Sequence, residues 1–295
     1  MLKQTITFRS PASLSLKNRQ MVIQLKDTDQ VLTRPIEDIG VVIIENQMVH
    51  MTVPLLNELV EHNVAVIICD GHAMPKSMLM ALDGNSTLQE AYRCQLDASQ
   101  PLKKQAWKQV VEAKIKNQSA LLDKVGEEGS VLKPFYMNVK SGDGDNREGA
   151  AARIYWSRLF GADFRRAREG DVPNSFLNYG YAILRAAVAR ALLGSGLYPS
   201  FGIYHRSRYN AFPLADDMME PYRPFVDEIV YRLYMDGSQA ELTSEVKSEL
   251  QRVLFCDVTM GKVVRPLEVA LSLTTASLLK LMKGDVNKLS LPVLK

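Results

Sequence analysis

The sequence predicts an α+β protein with a small, β-rich N-terminal domain at residues 1–84 and a larger, all-α domain at residues 85–295. Short alternating or apolar runs separated by turn residues fill the first part of the chain. After Ser86, nearly every segment repeats its apolar residues with the helical period instead. A chain of 295 residues is also longer than one typical small domain.

The first domain is predicted to open with strands and to include a crossover. The segments LKQTITFRS and MVIQLKD alternate polar and apolar residues, and GVVIIEN is almost continuously apolar. Thr52 then caps a helix that has Pro54 in its first turn, and the apolar run VAVIICD follows. Two apolar strands around a helix favour a parallel crossover. Residues 75–82 are expected to form a last strand before the Asp-Gly-Asn turn at 83–85.

The second domain is predicted to be helical from end to end. Pro101, preceded by Gln100 or Ser99, opens a long helix. Pro221 or Pro224 is expected to interrupt or kink the helix that follows the acidic residues near 216–220. The predicted helices are 86–99, 101–125, 147–161, 173–193, 216–235, 243–255 and 267–281.

Composition excludes several classes of protein. The chain is 46% hydrophobic and 23% charged, which is ordinary for a soluble globular protein. A net charge of +3 permits nucleic acid as a partner without arguing for it. Cys69, Cys94 and Cys256 lie far apart and suggest neither a disulfide framework nor a zinc site. We expect no signal peptide, no membrane span and a cytoplasmic location.

Lysines recur along the helix predicted at 101–125. They form either a solvated face, which is the usual role of such a run, or a face that contacts successive phosphates of a nucleic acid. The sequence leaves both alternatives open for Lys103, Lys104, Lys108, Lys114 and Lys116.

The stretch 202–223 contains the strongest candidate site. His205 is flanked by arginines and is followed by Asp216, Asp217 and Glu220. An imidazole and carboxylates beside arginines are the parts of a divalent-metal site that handles a phosphate. The alternative is a buried histidine followed by a solvated acidic helix start, and spacing alone favours that alternative.

A further carboxylate, from another segment, could complete such a site. Glu148 is expected in the first turn of the helix at 147–161, where a carboxylate is stabilised by the helix dipole. Glu148, His205 and Glu220 together would suit Mn²⁺ or Mg²⁺ with open positions better than a structural zinc ion. Nothing in the spacing requires these three side chains to converge. The sequence contains no phosphate-binding loop, no nucleophile elbow and no dinucleotide fingerprint.

Two motifs resemble a known family. The run FLNYGYAILRAAVARALLGSGLYPSFGIYHRSRYNAFPLADDMMEPYRP and the segment EGAAARIYWSRLFG are similar to CRISPR-associated endonuclease one, the integrase that inserts new spacers. In their length and residue pattern, the motifs resemble the branch of that family from type II systems. The likeness covers essentially the whole chain and is most specific at residues 147–223.

The resemblance implies a function and a set of site residues. It implies that Glu148, His205 and Glu220 are catalytic and bind the divalent metal, Mg²⁺ or Mn²⁺, with Asp217 as an assisting acid. The 3′-hydroxyl of a prespacer would attack a phosphodiester at the repeat boundary. Implied partners are double-stranded DNA, from the prespacer and the repeat, and a second copy of the chain, paired largely through the β domains. The small CRISPR-associated second protein would bridge two such homodimers, with no role for a membrane.

Clustered arginines are the candidate contacts to the DNA backbone. We hypothesise this role for Arg147, Arg165, Arg166, Arg168, Arg206 and Arg208. One rival function is a helical metallohydrolase of small phosphoesters. The other is a non-catalytic DNA-binding scaffold, against which the complete Glu148, His205 and Glu220 set argues.

Overall fold

The computed structural model describes residues 3–28, 30–79, 87–167, 169–237 and 241–295. The chain divides into two compact units, Met1–Ser86 and Thr87–Lys295. The domain boundary predicted between residues 84 and 85 falls in segment 80–86, outside the described residues.

The first unit contains two sheets of four strands in its described part. In the first sheet, in the order β1-β5-β7-β8, the first three strands are mutually parallel and β8 is antiparallel. The second sheet has the order β4-β3-β2-β6. The elements are β1 Gln4–Phe8, β2 Ala12–Lys17, β3 Gln20–Leu25, β4 Val31–Pro35, β5 Ile39–Ile44, β6 His50–Met51, α1 Val53–Glu61, β7 Ala65–Cys69 and β8 Pro75–Leu79.

The parallel crossover predicted from the two apolar runs is present. Strands β5 and β7 pair in parallel, with Val42 opposite Val66, and α1 connects them. Leu55 and Leu59 are one helical turn apart, so both point from α1 into the same buried cluster as Val42 and Val66. Every residue of β5 is buried, which explains why this strand is apolar on both faces instead of alternating.

The second unit is mainly helical and is built around α3. Ser99 caps this helix by accepting a hydrogen bond from the N–H of Leu102 at 3.3 Å, and Trp107 and Ile115 are fully buried along it. The helices are α2 Leu88–Asp97, α3 Gln100–Lys124, α4 Lys133–Met137, α5 Arg147–Phe160, α6 Asn174–Gly194, α7 Pro213–Met219, α8 Arg223–Asp236, α9 Ser244–Gln251 and α10 Leu267–Lys283.

The predicted helix break after the acidic residues is confirmed. Helix α7 ends at Met219, residues Glu220–Tyr222 form a 3-10 turn, and α8 begins at Arg223. Pro221 lies within this turn, where it has no N–H to give to a continuous helix. The interruption places the Glu220 side chain at a junction between two helices.

The predicted α+β fold is confirmed, but the second unit is not entirely helical. An antiparallel hairpin, β9 Asp257–Met260 and β10 Val263–Pro266, lies between α9 and α10. None of the helices in the described ranges combines the length and apolarity needed to cross a membrane.

Candidate metal centre

Glu148 is held at the start of α5 by two capping side chains. Asn146 adopts a left-handed conformation with φ 51°, and its Oδ1 accepts from the N–H of Gly149 at 3.1 Å. The carboxylate of Asp143 accepts from the N–H groups of Arg147 at 2.8 Å and of Glu148 at 3.1 Å. The polar loop before α5 therefore satisfies the free N–H groups of its first turn and fixes the backbone that carries Glu148.

His205 lies in the loop before α7 and is oriented by Asp217. The Asp217 carboxylate accepts from His205 Nδ1 at 2.7 Å and from the backbone N–H groups of Ile203, Tyr204 and His205 at 2.7, 3.0 and 3.1 Å. Its hydrogen bond to the ring raises the pKa of His205, while burial raises the pKa of Asp217. Because Nδ1 is engaged by a carboxylate, Nε2 is the ring nitrogen left for a metal.

Close packing supports this loop. A Cβ atom at Gly202 would meet the carbonyl oxygen of His205 at 2.5 Å and Oδ2 of Asp217 at 2.9 Å, so a glycine is required there. The ring of Tyr204 stacks on buried Trp107, with centroids 4.2 Å apart and an angle of 3°. Trp107 also meets the His205 ring edge to face at 5.7 Å. The imidazole is therefore restricted by its hydrogen bond and by two neighbouring aromatic rings.

Glu220 occupies the 3-10 turn between α7 and α8 and is 4% exposed. Burial raises its pKa, but the charges of Arg223 and Lys114 outweigh burial and hold the pKa below its usual value. Arg223 Nε donates to Glu220 Oε1 at 2.9 Å. Asn117 donates from Nδ2 to the carbonyl of Pro221 at 2.8 Å, which holds the turn against α3. Glu220 is thus ionised in a buried setting.

The structure brings Glu148 and Glu220 together on either side of Lys114. Lys114 Nζ lies 2.5 Å from Glu148 Oε1 and 2.5 Å from Glu220 Oε2. The charges of Glu220 and Glu148 also raise the pKa of His205. Across the described ranges, no three His, Cys, Asp or Glu side chains are arranged closely enough to hold a metal ion together. In this arrangement the ammonium of Lys114 lies between the two glutamates.

The donor set nevertheless fits a hard or borderline divalent cation. Two carboxylates and a neutral imidazole nitrogen are the ligands that Mn²⁺ accepts, and Mg²⁺ shares the preference for oxygen. Glu220 Oε2 is buried and has an ion contact with Lys114 but no well-directed hydrogen bond. An acceptor of this kind is suited to exchange its partner for a metal ion. The role of Glu148, His205 and Glu220 as metal ligands stays a prediction.

Two of the predicted DNA contacts are exposed beside His205. Arg206 donates to Gln100 Oε1 at 2.6 Å, and Arg208 lies over the ring of Tyr209 with its guanidinium 4.7 Å from the centroid. Neither arginine is paired with a carboxylate in the ion pairs found among the described residues. Both guanidinium groups are therefore available to an incoming anion.

The other predicted contacts differ in setting. Arg165 is exposed and donates to neighbouring backbone carbonyls. Arg166 is half-buried and donates to Asn178 Oδ1 at 2.7 Å and to Asn174 Oδ1 at 3.1 Å, which indicates a structural role. Arg147 is half-buried, with one nitrogen 3.6 Å from Asp145. Arg168 lies outside the described residues.

The lysine series on α3 is not uniform. Lys104 and Lys116 are exposed, whereas Lys114 is buried against the two glutamates, so the solvated-face alternative is wrong for Lys114. The helical spacing of Lys114 from the other lysines did not predict this burial. Arg223, Trp107 and Asn117 were also not predicted as site residues, because each owes its position to contacts between distant segments.

The sequence of the chain matches one protein family and a named relative within it. The profile of the family described as "CRISPR associated protein Cas1" matches residues 6–268. The CRISPR-associated endonuclease Cas1 of Neisseria meningitidis serogroup C (strain 8013) is 39% identical over 262 residues, which are 88% of this chain and 85% of that relative.

Solved structures show the same fold at lower identity. A casposase bound to integration product has a TM-score of 0.80 at 21% identity, covering 98% of this chain and 93% of that one. A chain of the Cas6-RT-Cas1–Cas2 complex has a TM-score of 0.75 at 19% identity, covering 99% of this chain and 36% of that one. The family profile and the Neisseria relative confirm the resemblance inferred from the motifs. The chain therefore belongs to the Cas1 family of CRISPR-associated proteins.

Proposed function

We propose that this chain is a metal-dependent DNA endonuclease and integrase that inserts prespacer DNA into a CRISPR array. The observation that carries the proposal is the convergence of Glu148 and Glu220, from separate helical elements, on one buried cationic centre. The name of the Neisseria relative, an endonuclease, supports the same reaction class. Phosphoryl transfer suits such a site because it needs positioned charge more than covalent help from the protein.

Glu148, Glu220 and Nε2 of His205 would hold the metal, Mg²⁺ or Mn²⁺. When bound, the metal supplies polarisation of a phosphoryl oxygen and neutralises the charge that develops on the phosphate. Asp217 orients the imidazole through Nδ1 and anchors the backbone of the loop, so its assistance is one of positioning. Arg206 and Arg208, which are both exposed, would hold the DNA backbone next to His205.

The proposed partners follow the same reasoning. The casposase bound to integration product supports DNA as the substrate, and the Cas6-RT-Cas1–Cas2 complex supports a Cas2 protein as partner. We propose a homodimer, formed through the β-rich unit, as the form that Cas2 would bridge.

His205→Ala tests the function directly. The full chain with its Cas2 partner, Mn²⁺ and a duplex with 3′-hydroxyl ends is mixed with a plasmid that carries the repeat array, and joined products are counted. We expect His205→Ala to lose integration while its DNA affinity is largely kept. The matched control is His72→Ala, an exposed histidine in the β-rich unit, which should remain active. Full integration by His205→Ala would overturn the proposal.

A substrate comparison separates the rival enzyme class. A helical metallohydrolase of small phosphoesters would release phosphate from nucleotides at least as fast as it cleaves DNA. We expect cleavage of branched or double-stranded DNA and no turnover of nucleotides. The reverse preference would favour the rival.

A further inference from the structure

Lys114 has an unusual position for a lysine on a long helix. It lies in the middle of α3, is 8% exposed, and directs its ammonium between the two glutamates proposed as metal ligands. The two distances, to Glu148 Oε1 and to Glu220 Oε2, are both 2.5 Å. A buried lysine is found where its charge is paired, and here it is paired on two sides.

The charges around the ammonium balance. Glu148 and Glu220 contribute two negative charges, while Lys114 and Arg223 contribute two positive charges in direct contact with them. Removing one partner of such a buried group leaves the opposite charge uncompensated, which is strongly unfavourable. Without Lys114, the two carboxylates would repel each other across the site.

We infer that Lys114 is an internal counter-cation that holds Glu148 and Glu220 together in the metal-free chain, and that a divalent ion must compete with it. The competition rests on the proposed function, because it takes both glutamates as metal ligands. A metal ion that enters beside the ammonium faces like-charge repulsion inside a poorly screened site. The ammonium therefore lowers the affinity of the site for metal.

The contact geometry suits an exchange of partners. Glu220 Oε2 touches the ammonium closely but has no well-directed hydrogen bond, whereas Glu220 Oε1 receives one from Arg223 Nε. Lysine carries a point charge on a flexible stem, so its ammonium can turn to another acceptor when a metal enters. Arg223 would keep Glu220 in place during this change.

Metal binding tests the competition. Free Mn²⁺ is followed by electron paramagnetic resonance while the full chain is titrated, without DNA. We expect Lys114→Met to bind Mn²⁺ about tenfold more tightly than the wild type, because the competing charge is gone. Lys116→Met, an exposed lysine on the same helix, is the matched control and should bind as the wild type does. Equal or weaker binding by Lys114→Met would overturn the inference.

A double-mutant cycle in EDTA tests the pairing without any metal. We expect Lys114→Met alone to lower the melting temperature, and Lys114→Met with Glu148→Gln to recover part of that loss, because one repelling charge is removed with the ammonium. Additive losses in the double variant would contradict the pairing. If the wild type and every variant bind no Mn²⁺, the proposed metal function and the competition both fail, and the cycle in EDTA still decides the pairing on its own.

Discussion

Asp217 accepts a hydrogen bond from Nδ1 of His205 at 2.7 Å and is completely buried. The same carboxylate accepts three backbone N–H groups of the segment 203–205. One side chain thus sets both the course of this loop and the orientation of the ring that it carries. Replacing one acceptor oxygen of Asp217 is therefore expected to disturb His205 and its loop more than α7, the helix that carries Asp217.

We therefore predict that Asp217→Asn disrupts the His205 loop. An amide has one acceptor oxygen, and its NH₂ group would face N–H donors that now point at a carboxylate oxygen. We expect integration activity and Mn²⁺ affinity to fall by about 10-fold to 100-fold, as is typical when the partner of a metal-binding histidine is lost. The joining assay and the Mn²⁺ titration measure the two effects.

Asp216→Asn is the control for this prediction. Asp216 is also buried, but it pairs with Arg185 Nε at 2.6 Å and with Asn210 Nδ2 at 2.7 Å and has no contact to His205 among its hydrogen bonds in the described chain. We expect Asp216→Asn to keep most of the activity. Equal losses in the two variants would mean that Asp217 acts through general stability.

A second prediction concerns the arginines beside His205. Replacing both Arg206 and Arg208 by alanine should make the negative slope of log K against log salt shallower by about 2, since each phosphate contact contributes about −0.9 to the slope. The measurement is the DNA affinity of the full chain at several salt concentrations. Arg252→Ala, which removes an exposed arginine after α9, should leave the slope unchanged.

Arg166 provides the contrast. Because its guanidinium already donates to Asn174 and Asn178, we expect Arg166→Ala to lower the melting temperature and to leave the salt slope as it is. A shallower salt slope for Arg166→Ala would return Arg166 to the set of DNA-contacting residues. An unchanged slope for the Arg206 and Arg208 double variant would remove both residues from that surface.

Sequence patterns predicted elements whose signals are local. The crossover through α1 was predictable because apolar runs mark strands that are buried on both faces, as β5 is. The break at Glu220 was predictable because Pro221 lacks the N–H that a continuous helix needs. The hairpin of β9 and β10 was missed, although Gly261, with φ 62°, opens a two-residue turn between apolar residues.

The candidate site was predictable only in part. Glu148, His205 and Glu220 could be named from their motifs, but the position of Lys114 could not. A lysine on a long helix is usually solvated, and only contacts between segments more than 30 residues apart show that this one is paired. The same limit hid Asp227, whose partners come from two other helices.

Asp227 on α8 is a buried carboxyl that receives hydrogen bonds from two tyrosines. Tyr155 on α5 donates to Oδ2 at 2.7 Å, and Tyr181 on α6 donates to Oδ1. Burial raises the pKa of Asp227 to about 6, although both tyrosines and the charges of Arg223 and Lys114 oppose the increase. The two hydrogen bonds therefore tie α5, α6 and α8 together.

The last prediction is a pH dependence of stability that Asp227→Asn removes. Between about pH 4 and pH 6 the folded chain binds this proton more tightly than the unfolded chain does, so the contribution of Asp227 to stability is lost as the pH rises. The free energy of unfolding of the wild type, relative to that of Asp227→Asn, should therefore fall by up to about 3 kcal/mol across this window. Urea unfolding from pH 4 to pH 7 measures it. Asp285→Asn, at an exposed site, should show the same pH dependence of the free energy of unfolding as the wild type. Parallel curves for the wild type and Asp227→Asn would contradict the raised pKa.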